Sequence, residues 1–353
     1  MLHIHGYTGI LMNFMKKVLC FGELLLRLPP ANAGEWLRLN KMPVFVGGAE
    51  LNVATALATW NMPAKYFTAL PDNIISKDIT TYLQQKNIDT TPIHFSGERI
   101  GLYYLKEGAD MKSAENVFDR KYSSFSTLET GMVDWDAIFE DVSWFHFSAI
   151  APAVSESAAA LCEEALQVAS RKKITISVDL NYRSLLWKYG KQPADIMPLL
   201  VKYCNVVMGN IWSANTLLGM PLNETLLHQT NRNAYLQHAT ETAHHIFHSF
   251  THCQWVANTF RFDGNDAAID YYASLDTLDG QAVSPLFQIG NVVDKVGSGD
   301  CFMAGLIYGI MMQHSPKSII GFAAAAAFGK LQEQGDATKN NVAQIEKILS
   351  QYE

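Results

Sequence analysis

A glycine-rich segment near the C-terminal end of the sequence places a carboxylate directly after two closely spaced glycines. The segment reads Gly297-Ser298-Gly299-Asp300, and an apolar run with helical spacing follows it. Glycine turns let successive backbone N–H groups point at one anion, and a helix N-terminus adds a positive field. The segment therefore suits phosphoryl transfer, with Asp300 accepting a proton from an attacking hydroxyl. A helix N-cap after a glycine turn is an equally good interpretation of this segment taken alone.

A second glycine pair lies near the N-terminal end, where Gly47 and Gly48 open an alanine-rich helical pattern. Glycine lets a ligand approach the backbone closely. Asn52 follows one turn into the pattern, and its side-chain amide offers both a donor and an acceptor to sugar hydroxyls. Taken alone, the segment is equally typical of a small-residue helix packed on a sheet. The order of the two motifs along the chain decides between these interpretations.

In this order, Gly-Gly-x-x-x-Asn-x-Ala and Asp-x-x-Gly-x-Gly-Asp-x-Phe-x-Ala-Gly resemble the two signatures of the ribokinase-like (PfkB) sugar kinases. The resemblance starts at Met15 and spans nearly all of the remaining chain. Within the family, the sequence is most similar to the 2-keto-3-deoxygluconate kinases. Five runs match that subgroup in order: residues 47–54, 101–103, 119–121, 145–148 and 179–183.

The resemblance implies a reaction and a set of site residues. The reaction is ATP-dependent transfer of the γ-phosphate to a primary hydroxyl of a sugar acid. Asp300 is the expected general base, and the amides of residues 297–299 are the expected anion hole. The implied substrate-side residues are Gly47, Gly48, Asn52 and Tyr103. The expected cofactors are ATP and Mg²⁺, with no metal ligand assigned to the protein itself.

Two arginines favour an acidic sugar as the substrate. Arg183 follows a predicted strand, and open α/β sheets bind ligands at the carboxyl ends of their strands. A guanidinium there can hold a carboxylate through two parallel hydrogen bonds, and Arg120 would approach from the other side. Without the motifs, each arginine is more typical of a surface ion pair. Phe118 stands where many kinases of this subgroup have tyrosine, so a neutral sugar such as fructose or ribose remains an alternative.

The nucleotide side departs from the family pattern at one position. The family's Asn-x-x-Glu motif, which organises magnesium, is matched by Asn210-Ile211-Trp212-Ser213. Serine supplies no carboxylate, which leaves three alternatives. Magnesium affinity is weak, another acid takes the place of the glutamate, or the protein is an impaired kinase that acts as a sugar sensor. The intact glycine motif favours the active kinase. The remaining nucleotide-side candidates are Thr259, Arg261, the loosely matching turn at residues 263–265, Lys295 and Lys330. For each of the two lysines, a solvent-exposed side chain without a ligand is the more common state.

Charge, cysteine use and hydropathy exclude several classes of protein. The net charge of −7 argues against a nucleic-acid partner, so an anionic substrate must meet a local basic cluster. No apolar run reaches the ~18–20 residues that a membrane-spanning helix needs. The five cysteines are widely spaced and form no Cys-x-x-Cys pair, which favours a reducing, cytoplasmic compartment over a disulfide framework.

Short β-rich runs alternate with helical patterns, which predicts an α/β fold: an open, mostly parallel sheet with helices on both faces. The predicted strands are residues 18–21, 65–69, 144–147, 174–180, 206–209 and 254–258. The predicted helices are residues 52–59, 75–85, 156–170 and 302–312. Residues 1–14 are interpreted as an N-terminal extension without a catalytic role, and residues 15–353 as one kinase domain.

Two segments, residues 24–46 and 92–126, interrupt this alternation and contain no long helical pattern. As the resemblance implies, we expect them to form a small β lid that closes over the sugar, and a homodimer to form through that lid. His244, His248 and His252 recur every four residues, as metal ligands on one helix would. They lie outside every motif, so a polar helix face is the favoured interpretation.

Overall fold

One large sheet organises the chain, and helices cover both of its faces. The computed structural model describes residues 15–105, 116–228, 230–263, 269–290 and 292–353. The predicted extension at residues 1–14, part of the second lid segment and the turn at residues 264 and 265 lie outside the described residues.

The strands of the described residues alternate with helices over most of the chain. In chain order the strands are β1 (Lys17–Phe21), β2 (Leu25–Leu28), β3 (Phe45–Gly47), β4 (Ala64–Phe67), β5 (Ala69–Leu70), β6 (Ile88–Asp89), β7 (His94–Phe95), β8 (Gly101–Tyr104), β9 (Val117–Asp119), β10 (Val142–Ser148), β11 (Thr175–Asp179), β12 (Val206–Gly209), β13 (Trp255–Asp263), β14 (Ile269–Thr277), β15 (Gly280–Val283) and β16 (Phe287–Ile289).

The α-helices lie between these strands and after the last of them. They are α1 (Glu35–Arg38), α2 (Ala49–Thr59), α3 (Ile74–Gln84), α4 (Trp135–Ile138), α5 (Ala151–Val154), α6 (Glu156–Arg171), α7 (Pro193–Val201), α8 (Ile211–Leu218), α9 (Arg232–Ser249), α10 (Ser298–Met311), α11 (Pro316–Lys330) and α12 (Val342–Leu349). Short 3₁₀ turns lie at Asn32–Gly34, Phe125–Thr127 and Glu224–His228.

The large sheet has the strand order β15-β14-β13-β12-β11-β10-β1-β4-β6, with β16 also pairing with β14. Pairing is parallel from β6 to β13 and antiparallel from β13 onward. Along β1, Val18 and Cys20 pack into one buried cluster, whereas Leu19 and Phe21 pack into another. The predicted fold class is therefore confirmed, since a sheet buried on both faces needs helices on each side.

A second sheet, in the order β3-β2-β8-β9, is built from the two segments that interrupt the alternation. Strand β2 lies inside this sheet, which we call the lid sheet after the role expected for it, and is antiparallel to β3 and parallel to β8. Strands β5 and β7 form a separate parallel pair. Strand β3 ends at Gly47, directly before helix α2, so the first glycine motif joins the lid sheet to the main domain.

The structure also bears on the membrane and on the histidine row. Among the residues described, no helix is long and apolar enough to cross a membrane. His244 and His248 lie on α9, which ends at Ser249, so His252 is not on the same helix. Within the described ranges, no group of three or more His, Cys, Asp or Glu side chains is arranged to hold a metal ion.

Candidate active site

A cavity of about 650 Å³ lies between the lid sheet and the carboxyl ends of β11, β12 and β13. From the predicted substrate side it is lined by Gly48, Asn52, Tyr103, Arg120 and Arg183. From the predicted nucleotide side it is lined by Asn210, Thr259, Arg261 and Lys295, and residues 297–300 complete the wall. Gly47 and Lys330 do not line the cavity. The structure thus brings both glycine motifs to one space.

The backbone of the second glycine motif turns sharply into helix α10. Gly297 is the N-cap of this helix and has a φ of 80°, a conformation that favours glycine. A Cβ atom at this position would also lie 1.7 Å from the carbonyl oxygen of Asp336. Gly299, by contrast, has no atom within 4 Å of its Cβ position. The open side of the loop therefore faces free space at a helix N-terminus, as an anion site requires.

Asp300 lies in the first turn of α10 and is buried, although it lines the cavity. Asn52 donates a hydrogen bond from its side-chain nitrogen to the Asp300 carboxylate over 2.7 Å. Burial raises the pKa of Asp300 to about 7, while the hydrogen bond from Asn52 opposes this rise. A carboxyl group with this pKa changes protonation near neutral pH, which suits a general base.

Four further carboxylates that the sequence analysis did not single out line the same cavity: Glu23, Glu50, Asp179 and Asp336. Burial raises the pKa of Asp179 well above its usual value, the charge of Asp300 raises it further, and the charge of Arg183 opposes the rise. Glu50 accepts hydrogen bonds from the backbone nitrogen and hydroxyl of Ser148. Glu50 and Asp179 belong to runs that match the subgroup, so a residue-by-residue reading of those runs would have found them.

The two arginines lie in different electrostatic surroundings. Arg120 is buried, and its Nε donates to Glu23 Oε2 over 2.5 Å. Glu23 therefore compensates the charge of Arg120, so the guanidinium groups of Arg120 and Arg183 differ in their charged surroundings. Arg183 donates to the backbone carbonyl of Tyr182 over 3.2 Å and lowers the pKa of Asp179 against the larger effect of burial.

The Asn210 motif forms the start of helix α8. Asn210 is the N-cap, and its side chain accepts a hydrogen bond from the backbone nitrogen of Ser213 over 2.9 Å. The Ser213 hydroxyl accepts in return from the backbone nitrogen of Asn210 over 3.0 Å. This reciprocal pair is a capping box, in which glutamate commonly occupies the position of Ser213. Serine thus preserves the helix start but not the carboxylate.

Comparison with known families and proteins identifies the family. The sequence model of the pfkB family carbohydrate kinases matches residues 15–343. The chain belongs to the pfkB family of carbohydrate kinases. The kinase is 24% identical over 339 residues to a 2-dehydro-3-deoxygalactonokinase of Haloferax volcanii, a match that covers 94% of this chain and 96% of that protein.

Two other comparisons agree with this family. A 5-dehydro-2-deoxygluconokinase of Geobacillus kaustophilus is 27% identical over 316 residues, which cover 87% of the kinase and 85% of that protein. A crystal structure of 2-dehydro-3-deoxygluconokinase from Thermotoga maritima superimposes with a TM-score of 0.85 at 31% identity, covering 95% of the kinase and 98% of that chain. The resemblance is therefore confirmed, and the kinase is a phosphotransferase with an alcohol group as acceptor.

Lys330, which the sequence predicts on the nucleotide side, is buried and does not line the cavity. Lys330 lies in the last turn of α11, and its whole side chain is buried. Its ammonium donates a hydrogen bond to the backbone carbonyl oxygen of Glu333 over 3.1 Å. Burial lowers the pKa of Lys330, and the nearby Asp294 opposes this effect. Lys330 therefore lies behind the glycine loop of the kinase rather than on its open face.

Proposed function

We propose that this kinase transfers the γ-phosphate of ATP to a primary hydroxyl of a 2-keto-3-deoxy sugar acid, with 2-keto-3-deoxygluconate as the expected substrate. PfkB kinases use ATP. One observation carries the proposal: a carboxyl group with a pKa of about 7, Asp300, lies at a helix N-terminus in the same cavity as Arg183. The names of the similar proteins support a keto-deoxy sugar acid as the acceptor.

In the proposed reaction, each step is carried out by a group of this chain. Asp300 takes the proton of the sugar hydroxyl as the oxygen attacks the γ-phosphorus, and the bond from phosphorus to the bridging oxygen of ADP breaks. The amides of residues 297–299 and the N-terminus of α10 stabilise the negative charge of the transferring group. Closure of the lid over the sugar excludes water, which would otherwise compete as the acceptor.

Magnesium supplies charge neutralisation for the phosphates when it is bound with ATP. Within the described part of the chain, no cluster of three or more acidic, histidine or cysteine side chains could hold the ion alone. The phosphate oxygens of ATP would then supply most of the ligands of the ion, and Asn210 and Ser213, which line the cavity, would be the protein groups on that side.

Arg183 is the residue that we expect to distinguish acidic from neutral sugars. Arg183→Ala should weaken binding of the sugar acid by ~1.5–3 kcal/mol, because a hydrogen bond to a charged group is lost. Any activity on fructose or ribose should change much less. The measurement is KM and kcat for each sugar in a coupled ADP-release assay.

Arg99→Ala is the matched control for this experiment. Arg99 belongs to the segment at residues 92–126, pairs with Asp119 over 2.7 Å and does not line the cavity. Its loss should leave the preference for acidic sugars unchanged. Equal losses of kcat/KM for acidic and neutral sugars in the Arg183 variant would show that Arg183 shapes the site without binding the substrate carboxylate.

Two alternatives are separated by one screen. ADP release is measured at high magnesium with 2-keto-3-deoxygluconate, 2-keto-3-deoxygalactonate, fructose, ribose and adenosine, and calorimetry measures binding of the same compounds. Turnover with a neutral sugar alone would favour the neutral-sugar kinase. Sugar binding without ADP release from any compound would favour the sensor, for which Ser213 is the motivating departure.

Ser213→Glu tests the missing carboxylate directly. Both serine and glutamate complete a capping box, so the start of α8 should be retained. If the position lies beside the metal, the added charge should lower the magnesium concentration for half-maximal activity by about threefold or more. Ser213→Gln has the same length without the charge and is the control. Identical magnesium titrations for the two variants would mean that this position does not act on the metal.

The lid presents apolar side chains that favour self-association. Leu39, Val44 and Val117 are 59%, 58% and 55% exposed. Exposed apolar side chains mark a surface that binds another protein where they form a contiguous patch. We infer that a second copy of this chain covers them, which gives a homodimer through the lid.

A further inference from the structure

Arg27 projects from the lid sheet into the main domain. It lies on β2 and is only 4% exposed. Its Nε donates to Asp336 Oδ1 over 2.6 Å, and its Nη2 donates to Asp294 Oδ2 over 3.0 Å. The guanidinium also stacks on the Phe45 ring, 4.4 Å from the centroid. A lid side chain is thus held by two carboxylates that both belong to the main domain.

Asp294 and Asp336 connect Arg27 to the glycine loop. Asp294 begins the second glycine motif and accepts hydrogen bonds from the backbone nitrogens of Val296, over 3.0 Å, and Gly335, over 3.2 Å. It therefore fixes the backbone immediately before the anion hole and ties it to the loop that follows α11.

Asp336 contacts both glycine motifs. A Cβ atom on Gly297 would lie 1.7 Å from the Asp336 carbonyl oxygen, and one on Gly47 would lie 2.3 Å from Asp336 Oδ2. Asp336 also lines the cavity. One residue therefore fills the space between the anion-hole loop and the junction of the lid with α2, and its carboxylate is held by Arg27.

The charges around this junction compensate one another. Arg27, Asp294, Lys330 and Asp336 form what we name the buried charge cluster, with two positive and two negative groups. Buried ion pairs add little to stability compared with apolar packing, but removing one partner leaves a buried charge without compensation. Such a cluster therefore fixes a geometry more than it stabilises the fold.

We propose that Arg27 is a positioning residue that couples the seated lid to the anion hole, an inference that rests on the proposed function. With β2 in place, the guanidinium holds Asp294 and Asp336 together, and residues 297–299 keep the shape that receives the transferring phosphoryl group. When β2 moves away, the two carboxylates lose their shared cation and repel each other. The loop then relaxes, so phosphoryl transfer is efficient only under a closed lid.

The test compares Arg27→Met, which removes the charge, with Arg27→Lys, which keeps it. Arg27→Met should lower kcat at least about tenfold while KM for the sugar changes by less than about threefold, since Arg27 does not line the cavity. Arg27→Lys should recover part of kcat. Arg27→Met combined with Asp294→Asn should also recover part of kcat, because one of the two repelling charges is removed.

Hydrogen exchange supplies a readout that needs no turnover. Amides of residues 294–300 should exchange at least about tenfold faster in Arg27→Met than in the wild type, with unchanged exchange in β10 and β11. Unchanged exchange in the loop, or a kcat equal to that of the wild type, would overturn the coupling. If Arg27→Met fails to fold, Arg27→Lys is measured by the same exchange experiment. A wild type without kinase activity would contradict the proposed function while leaving the exchange result to decide the coupling.

Discussion

Asp300→Asn should lower kcat by at least ~10²-fold while the fold and most of the sugar affinity are retained. Asparagine has the size of aspartate and can still accept the 2.7 Å hydrogen bond from Asn52, but it cannot take the proton of the sugar hydroxyl. The measurement is steady-state ADP release together with sugar binding by calorimetry. Near-normal turnover in this variant would contradict the assignment of Asp300 as the base.

The pH dependence gives this prediction a second readout. Because burial raises the pKa of Asp300 to about 7, kcat/KM of the wild type should rise as the pH increases through that value. The folded state also retains the proton that the unfolded state releases near the ordinary pKa of 3.8. The contribution of Asp300 to stability is therefore lost as the pH rises from about 4 to about 7. Asp300→Asn should become more stable than the wild type over the same range, as measured by denaturant unfolding.

Gly297→Ala should remove activity and stability together. The residue has a φ of 80°, and the new Cβ atom would meet the carbonyl oxygen of Asp336 at 1.7 Å. Backbone oxygen cannot move as a flexible side chain can, so the loop must shift. We expect the free energy of unfolding to fall by about 2–5 kcal/mol and kcat/KM to fall at least ~10²-fold.

Two other glycines separate the causes of this loss. Gly131 has a φ of 82° and Gly299 does not have a left-handed φ, and neither has an atom within 4 Å of its Cβ position. Gly131→Ala should therefore show the cost of the backbone conformation alone, about 1 kcal/mol. Gly299→Ala should leave stability nearly unchanged. If Gly297→Ala costs no more stability than Gly131→Ala, the contact with Asp336 is not a rigid constraint.

Periodicity and local motifs were enough to predict the architecture. The six predicted central strands all occur, with bounds shifted by a few residues, and the predicted helix at residues 302–312 begins earlier, at Ser298. Strand and helix patterns depend on neighbours within a few residues, which a single sequence displays. The motifs also brought Asp300, Asn52 and Arg183 to one cavity, because glycine turns mark the places where backbone and ligand meet.

Pairings between distant residues could not be predicted in this way. Arg120 and Glu23 are separated by 97 positions, and Arg27 and Asp336 by 309. No local pattern records which of many charged side chains will meet after the sheet assembles. The burial of Lys330 could not be predicted for a related reason, since it depends on how α11 packs in the assembled fold. Site residues were thus predictable as positions, but their partners were not.

The position of β1 in the middle of the sheet has a consequence for synthesis of the chain. One face of this strand, with Val18 and Cys20, belongs to the same buried cluster as α10 and α11. These two helices occupy Ser298–Met311 and Pro316–Lys330, so they are translated after all strands of the sheet. A nascent polypeptide that ends before them lacks two of the helices that cover this face of the sheet, so apolar side chains of the cluster stay exposed to solvent. From the order of the elements we expect chaperones to bind the chain before α10 and α11 have been synthesised. We also expect prematurely terminated chains to aggregate.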